Sequence, residues 1–228
     1  MSSAGPMLSN GFCDRAIYSD PLWNHTLAES PQLIAQLQMI LGANAAAMSF
    51  QEAVNLYRIV RRTNKLPGDI AEVGVFHGGS ALIMEIANEA QKRMHLFDTF
   101  AGIPEASAGI DLIKVGDVKG STINQVRAIL DPYNERVDYH VGIFPATAAE
   151  IAPTTQFAVV NLDMDVYQST KAGLEYFYPR MSRGGAIICH DYCSKSCPGV
   201  RKAVDEFFAD KPETPVDLWH TQIVMIKM

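Results

Sequence analysis

Residues 69–80 read DIAEVGVFHGGS, a short β-branched run that ends in glycines and a serine. Such a run favours a strand, which we predict over 69–76. Gly74 permits a tight turn out of the strand, and Gly78 lets the backbone approach a ligand closely. A helix is predicted over 80–93, and the free N–H groups at its start can bind a carboxylate or a phosphate. The spacing G-x-x-x-G-G differs from the G-x-G-x-x-G of dinucleotide binding.

The rest of the chain continues this alternation of strand and helix. Further strands are predicted over 94–97, 137–141, 157–162 and 186–189, and helices over 122–130, 146–151, 170–180 and 200–208. The helix over 170–180 is expected to end near Gly184 and Gly185. Two short strands follow within 216–227 without a helix between them. The pattern predicts an α/β Rossmann-like fold with a mostly parallel seven-stranded sheet, helices on both faces and a C-terminal antiparallel strand.

The region before the first strand divides into two parts. Residues 49–63 (SFQEAVNLYRIVRRT) have a helical apolar period, and Ser49 with Glu52 forms the pattern of a capping box. Residues 1–45 are rich in Ser, Pro and Asn, and we interpret them as an irregular N-terminal arm or lid. Residues 46–228 are then the main domain.

Composition excludes several classes of protein. The chain has 228 residues, of which 48% are hydrophobic and 19% charged, with a net charge of −6. Its basic residues form no stripe, so we expect no nucleic-acid partner. It has neither a long apolar run nor a secretory leader, so we expect no membrane partner and a cytoplasmic location. Free thiols are expected there, although Cys189, Cys193 and Cys197 lie near a histidine and leave a zinc site open.

Acidic residues follow the predicted strands, where open α/β sheets bind their ligands. Asp98 ends the second strand, where an acid can hydrogen-bond the ribose hydroxyls of an adenosine ligand. Asp163 and Asp165 follow the fourth strand, and Asp191 follows the next. Three carboxylates at one sheet edge repel one another unless a cation or protons intervene, and oxygen ligands suit Mg²⁺. The sequence therefore predicts an adenosine cofactor beside a divalent-cation site.

Several motifs, occurring in one order, resemble those of the macrocin O-methyltransferase family. Residues 72–80 fit E-x-G-x-x-x-G-x-S, which also resembles the first motif of catechol O-methyltransferase-type enzymes. Residues 97–104 (FDTFAGIP) resemble the family's D-S/T-F-x-G-L-P, and residues 162–170 (LDMDVYQST) resemble its L-D-G-D-L-Y-E-S-T. Residues 190–192 (HDY) stand where the family has D-D-Y. The similarity extends over about residues 49–208.

The resemblance implies a class I methyltransferase that uses S-adenosyl-L-methionine to methylate a hydroxyl group. It assigns these residues to the cofactor: Glu72, Gly74, Val75, Phe76, Gly78, Ser80, Asp98, Thr99, Phe100, Gly142, Phe144 and Asp163. In this assignment Glu72, Gly74 and Ser80 hold the methionine end, and Asp98 holds the ribose. It assigns these residues to Mg²⁺ or another divalent cation: Asp163, Asp165, His190 and Asp191. Asp165 is the expected catalytic base.

One residue departs from the family pattern, because His190 stands in the place of an aspartate. A histidine removes a negative charge and favours softer metals such as Mn²⁺, Fe²⁺ or Zn²⁺. It also suits a catalytic base in a metal-free site, since its ordinary pKa lies near neutrality. In a third interpretation it only hydrogen-bonds to the acids. The sequence leaves all three open.

The resemblance implies a small hydroxylated acceptor, such as a sugar or a glycosylated natural product, and a homo-oligomer, which we expect to be a dimer. Acceptor specificity is expected in the N-terminal arm and in residues 106–121, a glycine-containing stretch suited to close over the cofactor. Two other functions are considered. One is a nicotinamide-dependent oxidoreductase, which the missing G-x-G-x-x-G disfavours, and the other is a non-catalytic descendant.

Overall fold

The computed structural model describes residues 30–43 and 45–228. The chain divides into two compact units, residues 1–39 and 40–228, and the sheet lies in the second. The helices are α1 Pro31–Gly42, α2 Phe50–Thr63, α3 Gly79–Asn88, α4 Ile123–Leu130, α5 Tyr167–Phe177 and α6 Pro198–Phe208. The strands are β1 Asp69–Val73, β2 Met94–Asp98, β3 Val137–Val141, β4 Phe157–Leu162, β5 Met181–Cys189, β6 Val216–Asp217 and β7 Ile223–Ile226. Short 3₁₀ helices occupy Ala146–Glu150 and Tyr178–Arg180.

The seven strands form one sheet in the order β3-β2-β1-β4-β5-β7-β6. The first five run parallel, while β7 is antiparallel to both β5 and β6. Right-handed crossovers put the helices after β1 and β2 on one face and the helix after β4 on the other, because the strand order reverses between β1 and β4. The predicted α/β class, strand number and antiparallel C-terminal strand are confirmed. No helix in the described part of the chain has the length and apolarity to cross a membrane.

The core of the sheet follows from the residues of its central strand. All six residues of β4 (FAVVNL) are buried, as expected for a parallel strand covered on both faces. The fully buried rings of Phe97, Phe157 and Phe177 make edge-to-face contacts, with centroids 5.0 Å apart for Phe157 and Phe177. Burial of one such ring contributes about 1.5–3 kcal/mol to folding. These rings pack β2 and β4 against the end of the helix Tyr167–Phe177.

Several predicted boundaries differ from the structure. The first strand ends at Val73, so residues 74–76 belong to the loop after it. Helix α3 ends at Asn88 because Glu89 and Ala90 adopt left-handed backbone angles, and the Glu85 side chain accepts a hydrogen bond from the Ala90 N–H at 2.9 Å. The predicted extension to residue 93 was therefore wrong.

The glycine pair before the fifth strand was also misinterpreted. Helix α5 begins at Tyr167 and ends at Phe177, and Gly184 and Gly185 lie inside β5 instead of ending a helix. A Cβ atom at Gly185 would come within 2.8 Å of the carbonyl oxygen of Ala158. Only glycine lets β5 pass this close to β4, where the register between the two strands shifts.

The prediction of an irregular segment before residue 45 was wrong for residues 31–42, which form α1. The Ser30 hydroxyl accepts a hydrogen bond from the Leu33 N–H at 3.1 Å, and Pro31 occupies the first helical position. Residues 1–29 and 44 lie outside the described residues, so the prediction of an arm or lid stands untested there.

Candidate active site

The glycine turn after β1 lies where the strand order reverses, which is the usual ligand-binding position of such sheets. Gly74 has a φ of 88°, and a Cβ atom there would lie 1.7 Å from the carbonyl oxygen of Asp163. The Gly74 N–H donates to the carbonyl of Phe97, and the Asp163 N–H donates to that of Val73, both at 2.9 Å. Glycine is required here because the chain segments leaving β1 and β4 touch.

The start of α3 is partly occupied by the chain itself. The Gly79 N–H donates to the carbonyl of Ala45 at 2.8 Å, and a Cβ atom at Gly79 would lie 2.3 Å from that carbonyl. The Gly79 N–H is therefore not free for a ligand, and the binding of a ligand by the N–H groups that follow it stays a prediction. The second glycine of the pair is required by packing of the segment before α2.

Asp98 is held rigidly at the end of β2. Its Oδ2 accepts hydrogen bonds from the N–H groups of Val75 at 2.7 Å and Phe76 at 2.8 Å, and its Oδ1 accepts one from Phe100 at 2.7 Å. Oδ2 thus has both of its lone-pair sites occupied, whereas Oδ1 keeps one to which a ribose hydroxyl can still donate. The carboxylate thereby connects the loops that follow β1 and β2.

A cavity of about 280 Å³ opens beside Asp98 and Gly74. Most of its walls come from the loops after the strands. The predicted site residues that line it are Gly74, Phe76, Asp98, Thr99, Gly142, Phe144, Asp163, Asp165 and Asp191. The predicted site residues that do not line it are Glu72, Val75, Gly78, Ser80, Phe100 and His190. The cavity thus brings the proposed ribose acid and three of the proposed metal ligands to one space.

Glu72 lies within β1 and is fully buried. Its Oε1 accepts a hydrogen bond from the Asn161 side-chain amide at 2.8 Å, whereas its Oε2 has no partner. Burial raises the pKa of Glu72 to about 8, and the nearby charges of Asp163 and Asp98 add to that rise. An unpartnered buried carboxyl oxygen is costly, so Glu72 fits a polar ligand group better than it fits an empty site.

The carboxyl-end cluster consists of Asp163, Asp165, His190 and Asp191, which follow or end β4 and β5. Ligand atoms of Asp163, His190 and Asp191 lie within 4.8 Å of one another, and so do those of Asp165, Asp191 and Cys197. Asp165 and Asp191 have φ angles of 62° and 61°, a region that non-glycine residues enter at a cost of about 1–3 kcal/mol. Strain of this kind concentrates at functional sites.

Negative charge in this cluster is only partly balanced. Burial, followed by the charges of Asp163 and Asp191, raises the pKa of Asp165 to about 7. The Cys197 thiol lies 3.7 Å from Asp165 Oδ1, and burial raises the pKa of that thiol to about 12, so it adds no charge at neutral pH. Asp165 is therefore poised to hold or release a proton near pH 7.

His190 lies behind the acids and is buried. Its Nδ1 is 2.9 Å from Asp191 Oδ2 and 3.3 Å from Asp163 Oδ1, and its Nε2 is 3.4 Å from Glu52 Oε1. Burial opposes the charged ring, but these three carboxylates outweigh it and hold the pKa of His190 far above its usual value. The arrangement favours an imidazolium that balances the acids over a neutral base.

Glu52 is the residue of this region whose role the sequence interpretation missed. Its capping bond with Ser49 is present, as predicted, but the carboxylate is also buried against the C-terminal residues His220 and Thr221. Burial alone would raise the pKa of Glu52, but His190 and Thr221 hold it well below its usual range. The signal available in the sequence was the place of Glu52 at the third position of an amphipathic helix, on the side that becomes buried.

Other wall residues were not singled out from the sequence. Among the other residues that line the cavity are Ala47, Ile103, Pro104, Val118, Met164 and Ser169. Val118 belongs to the stretch 106–121 that was predicted to close over the cofactor. Asp111 in that stretch accepts hydrogen bonds from the Tyr167 N–H at 2.9 Å and the Ser107 N–H at 2.6 Å, which joins it to the start of α5.

The three C-terminal cysteines do not form one ligand set in the part of the chain that is described. Cys189 is buried in β5, Cys193 is exposed, and Cys197 lies beside Asp165. The candidate ligand groups contain only Cys197 among them. A zinc site built from the three cysteines is therefore not supported.

Known proteins resemble this chain in sequence. It is 35% identical over 156 residues to an 8-demethyl-8-(2,3-dimethoxy-alpha-L-rhamnosyl)-tetracenomycin-C 4'-O-methyltransferase of Streptomyces olivaceus, covering 62% of this chain and 58% of that protein. It is 34% identical over 160 residues to a demethyldecarbamoylnovobiocin O-methyltransferase of Streptomyces niveus, covering 64% and 60%. These matches span about three fifths of the length of each relative.

Solved structures share the architecture. The O-methyltransferase NovP superposes with a TM-score of 0.70 at 27% identity, over 80% of this chain and 82% of that one. The calicheamicin methyltransferase CalS11 has a TM-score of 0.68 at 20% identity and covers 99% of both chains. The second likeness concerns the fold alone. Residues 43–222 match the family described as macrocin-O-methyltransferase (TylF), a range that includes every strand of the sheet except β7, and the chain belongs to that family.

Proposed function

We propose that the protein is an S-adenosyl-L-methionine-dependent O-methyltransferase that acts on a hydroxyl group of a glycosylated small molecule. The observation that carries this proposal is a single cavity lined by both Asp98 and the acids Asp163, Asp165 and Asp191. An adenosine-binding acid and a charged reaction site have to share one space if a methyl group passes directly from cofactor to acceptor. The family match favours this activity over the nicotinamide-dependent and non-catalytic alternatives.

The cofactor residues fit S-adenosyl-L-methionine in their chemistry. Asp98 Oδ1 can accept a bond from a ribose hydroxyl, and the unpartnered Glu72 Oε2 suits the ammonium group of the methionine part, whose positive charge would favour the ionised carboxylate. Gly74 leaves room where the chains leaving β1 and β4 touch, and Phe144 and Gly142 offer a wall for the adenine. When bound, this cofactor supplies a methyl group on a positively charged sulfur. The assignments of Val75, Phe76, Gly78, Ser80, Thr99 and Phe100 remain predictions.

In the proposed reaction, Asp165 removes the proton of the acceptor hydroxyl. The oxygen forms a bond to the methyl carbon as the carbon–sulfur bond breaks, and the electron pair stays on sulfur. A base with a pKa near the working pH suits this task, and burial gives Asp165 such a value, about 7. His190 orients the neighbouring side chains of Asp163 and Asp191 through its contacts with them.

Two overlapping groups of these side chains could hold a divalent cation. One contains Asp163, His190 and Asp191, and the other contains Asp165, Asp191 and Cys197. The carboxylates would provide oxygen donors for Mg²⁺, and His190 would add a ligand for a softer metal only if its ring lost a proton. Such an ion would hold the acceptor oxygens and lower the pKa of the attacking hydroxyl. Metal assistance is therefore a separate part of the proposed function, and it is tested separately by chelation.

The acceptor class comes from the relatives. The first is named for a rhamnosyl-tetracenomycin and another for demethyldecarbamoylnovobiocin, so glycosylated natural products are the acceptors to try. A homodimer in the cytoplasm is proposed as the working form, and neither nucleic acid nor membrane is a proposed partner.

The test begins with binding. Calorimetry is expected to give saturable binding of S-adenosylhomocysteine that Asp98→Asn weakens, and no binding of NAD. Transfer of labelled methyl groups from S-adenosyl-L-methionine to a panel of glycosides, with and without EDTA, then reports activity and metal dependence. Binding of NAD but not of S-adenosylhomocysteine would refute the proposed function, and full activity after chelation would remove the metal from it.

A further inference from the structure

A second group of side chains that could bind a metal lies on the first three strands of the same sheet. The histidine cluster consists of Asp69 on β1, His95 on β2, and Asp138 and His140 on β3. His95 pairs with Asp138 and Phe97 pairs with His140 in the parallel register, so the side chains at 95, 138 and 140 share one face of the sheet. No member of the histidine cluster lines the cavity of the candidate active site.

The distances suit a single bound ion. His95 Nδ1 lies 3.2 Å from His140 Nε2 and 3.6 Å from Asp138 Oδ2, and the three ligand atoms all fall within 4.8 Å of one another. Tetrahedral zinc with bonds of about 2.0–2.1 Å requires ligand atoms about 3.3 Å apart. Asp138 has a side chain that is 39% exposed and can turn to complete the set. Water can occupy the fourth position.

The surroundings resemble those of established metal-binding histidines. Asp69 Oδ2 lies 3.2 Å from His95 Nε2, so it can accept the N–H of the ring nitrogen that does not face the other ligands. A carboxylate in that position fixes the tautomer and raises the basicity of a metal-bound imidazole. His140 Nε2 and His95 Nδ1 share a hydrogen bond at 3.2 Å, which a bound ion would replace. Phe97 stacks on His140, and Phe157 packs edge-on against His95, which shields the group.

We propose that His95, Asp138 and His140 form a binding site for Zn²⁺ or a similar transition-metal ion. Two imidazole nitrogens and one carboxylate select such ions over Mg²⁺. The ion would link β2 to β3, which is one of the two edge strands of the sheet. Arg93 Nη1 bonds both oxygens of Asp138 at 2.9 Å in the metal-free arrangement, and the ion would take over one of these oxygens.

The experiment uses the full-length protein after treatment with a chelator. Zn²⁺ binding is measured by calorimetry, and Co²⁺ is added as a spectroscopic probe of tetrahedral nitrogen and oxygen ligands. We expect one ion per chain at this site, counted in Asp191→Asn so that the carboxyl-end cluster does not contribute. We also expect a rise in Tm with Zn²⁺ and at least a tenfold loss of affinity at this site in His140→Gln and Asp138→Asn. Asp69→Asn is expected to weaken binding by about 10–100-fold without removing a ligand.

The controls separate this site from the carboxyl-end cluster. Asp191→Asn is expected to keep the Co²⁺ spectrum, and circular dichroism checks that each variant is folded. His140 is only half-buried, so His140→Gln gives a folded test if a change at the buried His95 does not. A wild-type chain that binds no Zn²⁺, or a folded His140→Gln that binds it as tightly, overturns the proposal. So does loss of the spectrum in Asp191→Asn alone. None of these results depends on methyl transfer.

Discussion

The two polar clusters on this sheet use similar side chains in different ways. The carboxyl-end cluster combines three aspartates with one histidine, adjoins the cavity, and holds two of its acids at strained backbone angles. The histidine cluster has two aspartates and two histidines on regular strand backbone, packed among aromatic rings. In the first, burial and then the charges of Asp163 and Asp191 raise the pKa of Asp165; in the second, burial and a neighbouring imidazole lower that of His140.

The difference shows what position in the sheet contributes. Strand ends lead into loops, which can adopt unusual backbone angles and leave space for ligands, whereas strand interiors fix side chains in register. A reaction site needs unbalanced charge beside open space, and a structural ion needs ligands held at set spacings. The predictions below test whether the two clusters divide these roles.

The largest effect is expected from Asp165→Asn. Loss of the proposed base should lower methyl transfer by about 10²–10⁴-fold, while the shape of the cavity is kept. The rate is measured with a glycoside acceptor found in the panel, and S-adenosylhomocysteine binding is measured by calorimetry. Unchanged binding with lost turnover would support the assignment, and undiminished turnover would contradict it.

Glu52→Ala is expected to destabilise the fold by about 3–5 kcal/mol, because it removes the carboxylate that pairs with Nε2 of the charged His190 ring. Denaturant unfolding monitors this loss. Glu175→Ala, an exposed glutamate on α5, serves as the matched control and should change stability by less than about 0.5 kcal/mol. Equal effects of the two substitutions would show that Glu52 is not coupled to the carboxyl-end cluster.

Gly74→Ala should destabilise by about 3 kcal/mol and weaken cofactor binding, since its methyl group would collide with the Asp163 backbone. Gly109→Ala has the same kind of backbone angle, φ 77°, but nothing within 4 Å of the added atom. It should cost only the strain of a left-handed residue, about 1–2 kcal/mol. Thermal unfolding compares them, and similar losses would argue against a critical contact at Gly74.

The smallest effect is expected from Arg93→Ala at the edge of the histidine cluster. The Arg93–Asp138 pair is substantially exposed, so its loss should cost less than about 1 kcal/mol. Chemical unfolding at low and high salt measures this, and the difference from wild type should shrink as salt screens the pair. A cost above about 2 kcal/mol would mean that the histidine cluster depends on Arg93 for its structure.

The positions of most strands could be predicted from the sequence, because buried parallel strands such as residues 157–162 and the acids that follow them have distinctive patterns. It placed Asp98, Asp163, Asp165 and Asp191 at one edge, and all four line the cavity. It could not show that Glu52 meets His190, since these residues are separated by most of the chain and meet only through packing of α2.

Other errors have similarly local causes. Gly184 and Gly185 resembled a helix end because glycine permits both a helix stop and a close approach between strands. The apolar spacing of residues 31–42 was hidden by the Pro- and Asn-rich sequence before it. His140 gave no sign of a partner, because its contact with His95 depends on the register between β2 and β3.

The absence of a side chain at Gly79 sets how closely two segments of the domain approach each other. The backbone at Ala45 lies beside the first turn of α3 at a separation that leaves no room for a Cβ atom at position 79, and Ala47, two residues later, forms part of the cavity wall. A larger residue at 79 would displace this backbone and, with it, one wall of the cavity. The position of that wall therefore depends on a residue that does not itself line the cavity.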